Sequence, residues 1–167
     1  SDIDDTMPAL RPITVRDLLT FRLGHGMLMT MPGAYPVQRY EATLELGGMP
    51  APQYPPPPDE WLRRFATTPL YYQPGDRWLY NTGSEILGIL IARASGQSLE
   101  DFMRERIFEP LGMKGTGFVV PAKNLDRFTT NYITNWESGA REVYDAPDGQ
   151  WAKPPRFPSA AAGRCSR

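Results

Sequence analysis

Cysteine and histidine each occur once in the 167 residues, as Cys165 and His25, and lysine occurs only as Lys114, Lys123 and Lys153. A single cysteine excludes an internal disulfide and leaves the redox compartment open. A single histidine excludes a histidine-rich metal cage, and any catalytic triad built on histidine depends on His25. Basic residues number 18 against 19 acidic ones, a net charge of −1. With no basic stripe to neutralise phosphates, nucleic acid is not an expected partner. The longest apolar stretch, residues 86–92, is interrupted by Gly88 and falls far short of the roughly 20 residues a membrane span needs. No membrane span is expected. Ser1-Asp2-Ile3-Asp4-Asp5 has neither the basic start nor the apolar run of a signal peptide and reads as mid-protein sequence. The sequence leaves the compartment unknown, and no internal repeat recurs at a fixed period.

Familiar catalytic patterns are scarce as well. No serine stands in Gly-x-Ser-x-Gly; Gly96-Gln97-Ser98 comes nearest, but Glu100 breaks the pattern. No set of His, Cys or carboxylate residues has metal-ligand spacing, so no metal and no cofactor is expected. Asp4-Asp5 and Glu100-Asp101 read as solvated surface rather than as a paired-carboxylate site.

What is present describes a globular chain, with 41% apolar and 22% charged residues. Eighteen prolines cluster: Pro50, Pro52 and Pro55 to Pro58 read as an extended loop, and a second cluster from Pro147 to Pro158 brackets Trp151 and Phe157. Thr14 is placed to cap a helix over residues 15–21 with Leu18 and Leu19 inward. Asp59 is placed to cap residues 60–66, with Trp61, Leu62 and Phe65 on one side. Residues 84–95 are apolar nearly all round, which predicts a buried helix, and Gly96 suits the left-handed residue past its end. Ser98, with Asp101 in the first turn, caps a further helix whose apolar face is Leu99, Phe102, Met103, Ile107 and Phe108. Residues 128–135 and 140–145 read as a hairpin turning around Glu137-Ser138-Gly139. The coarse picture is a mainly helical body over residues 14–113, a small β element and a proline-rich tail.

The stretch that stands out is Tyr72-Gln73-Pro74-Gly75-Asp76-Arg77-Trp78-Leu79-Tyr80-Asn81-Thr82-Gly83-Ser84-Glu85-Ile86-Leu87-Gly88. Pro74-Gly75 makes a tight turn. Tyr80-Asn81-Thr82 then places a phenol, an amide and a hydroxyl at the positive end of an apolar helix, where a phenolate or an oxyanion is stabilised. The plainer reading is that Asn81 or Thr82 caps the helix and Tyr80 packs.

Four pieces, residues 13–24, Pro74 to Gly88, Ala94-Ser95-Gly96 and Pro110 to Phe118, together resemble the β-lactamase-related serine hydrolases. That superfamily includes class C β-lactamases, D-alanyl-D-alanine carboxypeptidases and family VIII-type carboxylesterases. The pieces cover residues 12–118 in family order. The resemblance implies an α+β fold class: the mainly helical subdomain of the β-lactamase/penicillin-binding-protein-like fold, followed by a short β-hairpin within residues 119–167. It implies Tyr80 as the catalytic proton-relay tyrosine and Asn81 as the substrate-binding amide. The family spaces these two one residue apart, whereas here they are adjacent. Counted from Pro74-Gly75, Tyr80 is in register and Thr82 takes the asparagine's place; counted back from Leu87-Gly88, Asn81 is in register.

The family's nucleophile lies in Ser-x-x-Lys, and no lysine here has a serine three residues before it. Lys114-Gly115-Thr116-Gly117 has the wrong order for the family's Lys-Thr-Gly and reads as a turn. The resemblance therefore implies a chain truncated at both ends. Ser159 to Gly163 begins like the family's glycine-rich segment, and Arg164-Cys165-Ser166-Arg167 departs from it, as a frame shift or an artificial end would; Cys165 is then incidental. The expected function is part of a serine hydrolase acting on a small-molecule ester, amide or β-lactam through an acyl-enzyme, with an ester favoured and the isolated chain inactive. The alternative is a non-catalytic helical binding module whose Trp61, Tyr71, Tyr72 and Trp78 line a peptide groove. Self-association of the isolated chain is a further expectation.

Overall fold

The computed structural model describes residue 3 and residues 5–30, 33–46 and 51–158. Asp4, Pro50 and the tail from Ser159, with Cys165, lie outside the described residues.

Local chemistry sets most of the elements. Thr14 accepts a hydrogen bond from the Asp17 N–H, and the Asp17 carboxylate accepts from the Thr14 N–H, closing a capping box at the start of α1, Val15–Leu19. Pro36 stands in the first turn of α2, Pro36–Thr43, and the Gln38 side chain accepts from the Tyr35 N–H. Helix α3, Pro58–Phe65, starts on a proline whose missing N–H has no intrahelical partner to lose. Helix α4, Thr82–Ser95, ends at Gly96, whose φ of 68° is the left-handed cap. Ser98 accepts from the Asp101 N–H to begin α5, Leu99–Met103, which continues as a π-helical turn, Arg104–Phe108. Strands β1, Asn131–Thr134, and β2, Arg141–Asp145, pair antiparallel. Their turn is built by Asn135, whose side chain accepts from the Glu137 and Ser138 N–H groups, and by Gly139 at φ 69°.

The described residues thus form the expected α+β arrangement, helical with one two-stranded sheet. Its core gathers Leu18, Leu23, Trp61, Phe65, Ile89 and Phe157. Trp61 and Phe65 stack at 5.2 Å, and Phe157 closes on Trp61 from the proline-rich tail. Gln53 donates to the Pro154 carbonyl and Pro52 accepts from the Arg156 N–H, so the first proline cluster holds the second. Helix α1 meets α4 at Gly83, where a Cβ would lie 2.8 Å from the Leu18 carbonyl oxygen.

Several expectations are corrected. Leu19 is exposed: α1 has only five residues, and the side that turns inward carries Leu18 and the buried Asp17, which Arg11 grips with two hydrogen bonds of 2.7 and 2.8 Å. Asp59 is not a cap; the helix begins one residue earlier, and Asp59 pairs with Arg93 on the surface. Pro58 therefore belongs to α3 rather than to the loop before it. Helix α4 is buried on one side only, through Thr82, Gly83, Gly88 and Ile89, while Leu90 is exposed. Ile107 is likewise exposed, on the π-helical turn that displaces it from the face of Leu99 and Phe108. The first strand starts at Asn131 rather than at residue 128.

Candidate active site

Two extended segments hold the Tyr80 region. The Phe21 carbonyl accepts from the Leu79 N–H at 2.8 Å, the Arg22 carbonyl from Gly75 at 2.8 Å, and the Gly24 carbonyl from Tyr71 and Tyr72 at 2.9 and 3.1 Å. The Met27 N–H then donates to the Tyr80 carbonyl at 2.8 Å in an isolated antiparallel bridge. This close approach demands glycine: a Cβ on Gly26 would sit 2.6 Å from both the Leu79 Cβ and the Tyr80 oxygen. Between the partner segments, Pro74-Gly75 forms the expected tight turn, with an Asp76 N–H to Gln73 carbonyl bond of 3.1 Å and Gly75 at φ 97°.

At the end of this frame the backbone is forced into an unusual shape. Asn81 has φ 81° and ψ −71°, and the Thr82 N–H donates back to the Tyr80 carbonyl at 3.2 Å. These are the angles and the i to i+2 bond of a γ-turn with positive φ, a rare and strained conformation for a residue with a Cβ. Such strain costs on the order of 1–3 kcal/mol. The Tyr80 carbonyl thereby accepts twice, from Met27 and from Thr82. Asn81 occupies the N-cap position of α4, yet its side chain makes no capping hydrogen bond. The cap explanation for Asn81 therefore fails, and Asn81 lines a cavity.

That cavity, of about 590 Å³, is lined by Asn81 and Thr82 together with His25, Glu41, Trp61, Phe65 and Tyr71. Tyr80 lies outside its lining, half exposed at 50%, with its ring stacked against Phe21 at 6.4 Å and tilted toward Trp78 at 6.2 Å. Asn81 and Tyr80 thus point their side chains to different surroundings from adjacent positions. Of the four aromatics considered for a groove, Trp61 and Tyr71 line the cavity. Trp78 packs on Phe21, and Tyr72 lies beneath the Arg77 guanidinium at 4.3 Å.

Next to the γ-turn sits a polar chain that is buried at His25 and Thr82 and partly buried at Glu41 and Tyr71. His25 Nε2 is hydrogen-bonded to Glu41 Oε1, and His25 Nδ1 lies 3.3 Å from Thr82 Oγ1. Glu41 Oε2 accepts from the Tyr71 hydroxyl at 2.9 Å. Burial, reinforced by the Glu41 carboxylate, pushes the Tyr71 phenol well above its ordinary value, so Tyr71 remains a neutral donor. Phe65 meets the His25 ring edge-on at 4.8 Å and Tyr71 stacks on it at 4.9 Å. Sequence reading noted His25 but not its partners. Glu41 was missed because α2 was missed; Pro36 at its start with Gln38 two residues on was the available signal.

Among the described residues no group of three or more His, Cys, Asp or Glu side chains is placed to hold a metal ion, and no helix is long and apolar enough to cross a membrane. The family model described as Beta-lactamase matches residues 4–166. The chain belongs to the β-lactamase family. An uncharacterized protein of Mycobacterium tuberculosis is 34% identical over 161 residues, which is 96% of this chain and 37% of that relative. The lovastatin esterase of Penicillium rubens is 34% identical over 121 residues, 71% of this chain and 27% of the esterase. In three dimensions the unliganded simvastatin synthase of Aspergillus terreus superposes with a TM-score of 0.60 at 23% identity, over 91% of this chain and 36% of the synthase, a likeness of fold. The chain spans about a third of the length of the curated relatives it matches. The β-lactamase family placement agrees with the resemblance carried by Pro74 to Gly88 and by Pro110 to Phe118, and it puts the γ-turn inside a serine hydrolase fold.

Proposed function

We propose that this chain is the tyrosine-bearing helical part of a serine hydrolase that cleaves an ester, amide or β-lactam through an acyl-enzyme. In this reading Tyr80 relays the proton of the nucleophilic serine, and Asn81 orients the substrate's carbonyl side. The serine attacks the carbonyl carbon, the leaving group departs with a proton, and water then releases the acyl group. The nucleophile and its lysine come from outside these residues, because no Ser-x-x-Lys occurs in them. One observation carries the proposal. The strained γ-turn at Asn81 leaves the Asn81 side chain uncapped on a residue that lines the cavity, and the adjacent Tyr80 phenol half exposed outside that lining. Backbone strain that the surroundings enforce is characteristic of sites where side-chain placement matters more than stability. An ester is the favoured substrate class, supported by the lovastatin esterase among the relatives.

Residues 12–118 carry the site in this reading, and residues 119–167 its hairpin and proline-rich tail. The isolated chain is inactive: incubation with a fluorophosphonate or a penicillin leaves its intact mass unchanged, and a stoichiometric adduct would reveal a nucleophile within it. It also self-associates, which sedimentation velocity reads directly. In the full-length protein, Tyr80→Phe lowers the rate of acyl-enzyme formation by roughly 10²-fold or more. Near-normal acylation by that variant would overturn the assignment of Tyr80.

A further inference from the structure

We propose that His25 is a positioning residue for this site. Held by Glu41, it anchors the Thr82 hydroxyl and thereby fixes the γ-turn that aims Tyr80 and Asn81. The inference rests on the reading of Tyr80 and Asn81 given above, and it adds a residue that lies 55 or more positions away in sequence.

Three observations lead to it. First, His25 is 5% exposed and Thr82 8%, so their contact is buried at the cavity wall. Second, both ring nitrogens have partners, Glu41 on one side and Thr82 on the other, and Glu41 is fixed in turn by the Tyr71 hydroxyl. With a neutral ring donating Nε2–H to the carboxylate, Nδ1 accepts from the Thr82 hydroxyl, and with an imidazolium Nδ1–H donates to Thr82 Oγ1; in either state the ring ties Glu41 to Thr82. Third, Thr82 is the residue whose N–H closes the γ-turn on the Tyr80 carbonyl. The chain from Tyr71 through Glu41 and His25 to Thr82 therefore ends one residue from Asn81 and two from Tyr80.

Packing alone does not require this arrangement. An imidazole and a carboxylate taken out of water carry a desolvation penalty that apolar side chains of the same size avoid. A strained turn, by contrast, needs its neighbours held from both sides. Met27 holds the carbonyl of Tyr80, and His25 holds the side chain of Thr82. Without the second anchor, the N-terminus of α4 is free to relax toward an ordinary helical start. The Asn81 amide then turns to cap the helix, and Tyr80 leaves its seat against Phe21.

The test uses the full-length protein with an ester substrate. Active sites are counted by fluorophosphonate labelling, so that kcat is expressed per competent molecule. His25→Gln keeps a donor toward Glu41 but withdraws the partner from Thr82; Thr82→Val removes only the hydroxyl at nearly constant shape. Each lowers kcat by roughly 10- to 100-fold, the scale of a misplacement of about 1 Å, with KM changed by less than about threefold. The double variant is no worse than either single one, because both break the same bond. Thr82→Ser, which restores a hydroxyl, recovers most of the rate. If His25→Gln fails to fold, the Thr82→Val and Thr82→Ser pair decides the matter. Unchanged kcat per labelled site in Thr82→Val, while Tyr80→Phe is impaired, overturns the role of His25 and leaves the Tyr80 reading standing. Full additivity of the two variants also overturns it. Normal acylation by Tyr80→Phe overturns both.

Discussion

Replacing Asn81 by glycine separates the two things this residue does. At φ 81° and ψ −71° the asparagine Cβ is held in a conformation that costs on the order of 1–3 kcal/mol. Glycine reaches the same angles without that penalty, because it has no Cβ to crowd the neighbouring carbonyl. Its unfolded chain is more flexible, which takes back roughly 0.5–1 kcal/mol. Nothing is lost from a helix cap, since the Asn81 side chain makes no capping hydrogen bond. The balance is a gain of about 1 kcal/mol, which for a chain of this size raises Tm by roughly 2–4 °C. Asn81→Ala is the control: it keeps a Cβ, lacks asparagine's tolerance of positive φ, and melts below the wild type. Differential scanning calorimetry of the three proteins at one concentration measures the order glycine, asparagine, alanine. In the full-length protein both variants fall below the wild type in activity, because both lack the amide of Asn81, a residue that lines the cavity. If Asn81→Gly melts below the wild type, the side chain is stabilising the turn, and the account of strain kept for function is wrong.

Other outcomes follow from the same geometry. Gly26→Ala places a methyl group 2.6 Å from the Tyr80 carbonyl oxygen and the Leu79 Cβ; it should cost roughly 1–3 kcal/mol in urea denaturation, and a neutral result would mean that the segments are not held at this distance. The Asp17 carboxylate is kept well below the usual range, chiefly by hydrogen bonds from Arg11 and then by those from the Thr14 side chain and N–H. Because the folded value is depressed, its contribution is complete above the unfolded value of about 3.9 and disappears as pH falls through the lower folded value. Asp17→Asn should therefore flatten the acid side of a stability–pH curve, and parallel curves for wild type and variant down to about pH 2 would refute that assignment.

The elements that could be read from the residues alone are those whose causes lie within a few positions. Thr14 and Ser98 cap helices, Gly96 ends one, Pro74-Gly75 turns, and Asn135 to Gly139 closes a hairpin, each through contacts two to five residues apart. The pieces that carry the family resemblance, Pro74 to Gly88 among them, are legible for the same reason, as contiguous runs. Local pattern misled where burial depended on distant partners. Leu19 and Leu90 look like core residues beside Leu18 and Ile89, yet which of two adjacent leucines or isoleucines is covered depends on what packs against the helix.

Only the tertiary structure brought together His25, Glu41, Tyr71 and Thr82, whose bonded pairs are separated by 16, 30 and 57 positions. It alone placed Phe157 against Trp61, and it alone bent Asn81 into a γ-turn. Hydrogen bonds and ring contacts of this kind leave no periodic trace in the chain, because each joins single residues rather than faces of regular elements. The sequence by itself determined the family. The fold decided that Asn81 is strained and uncapped, and that the next residue, Thr82, meets the buried His25.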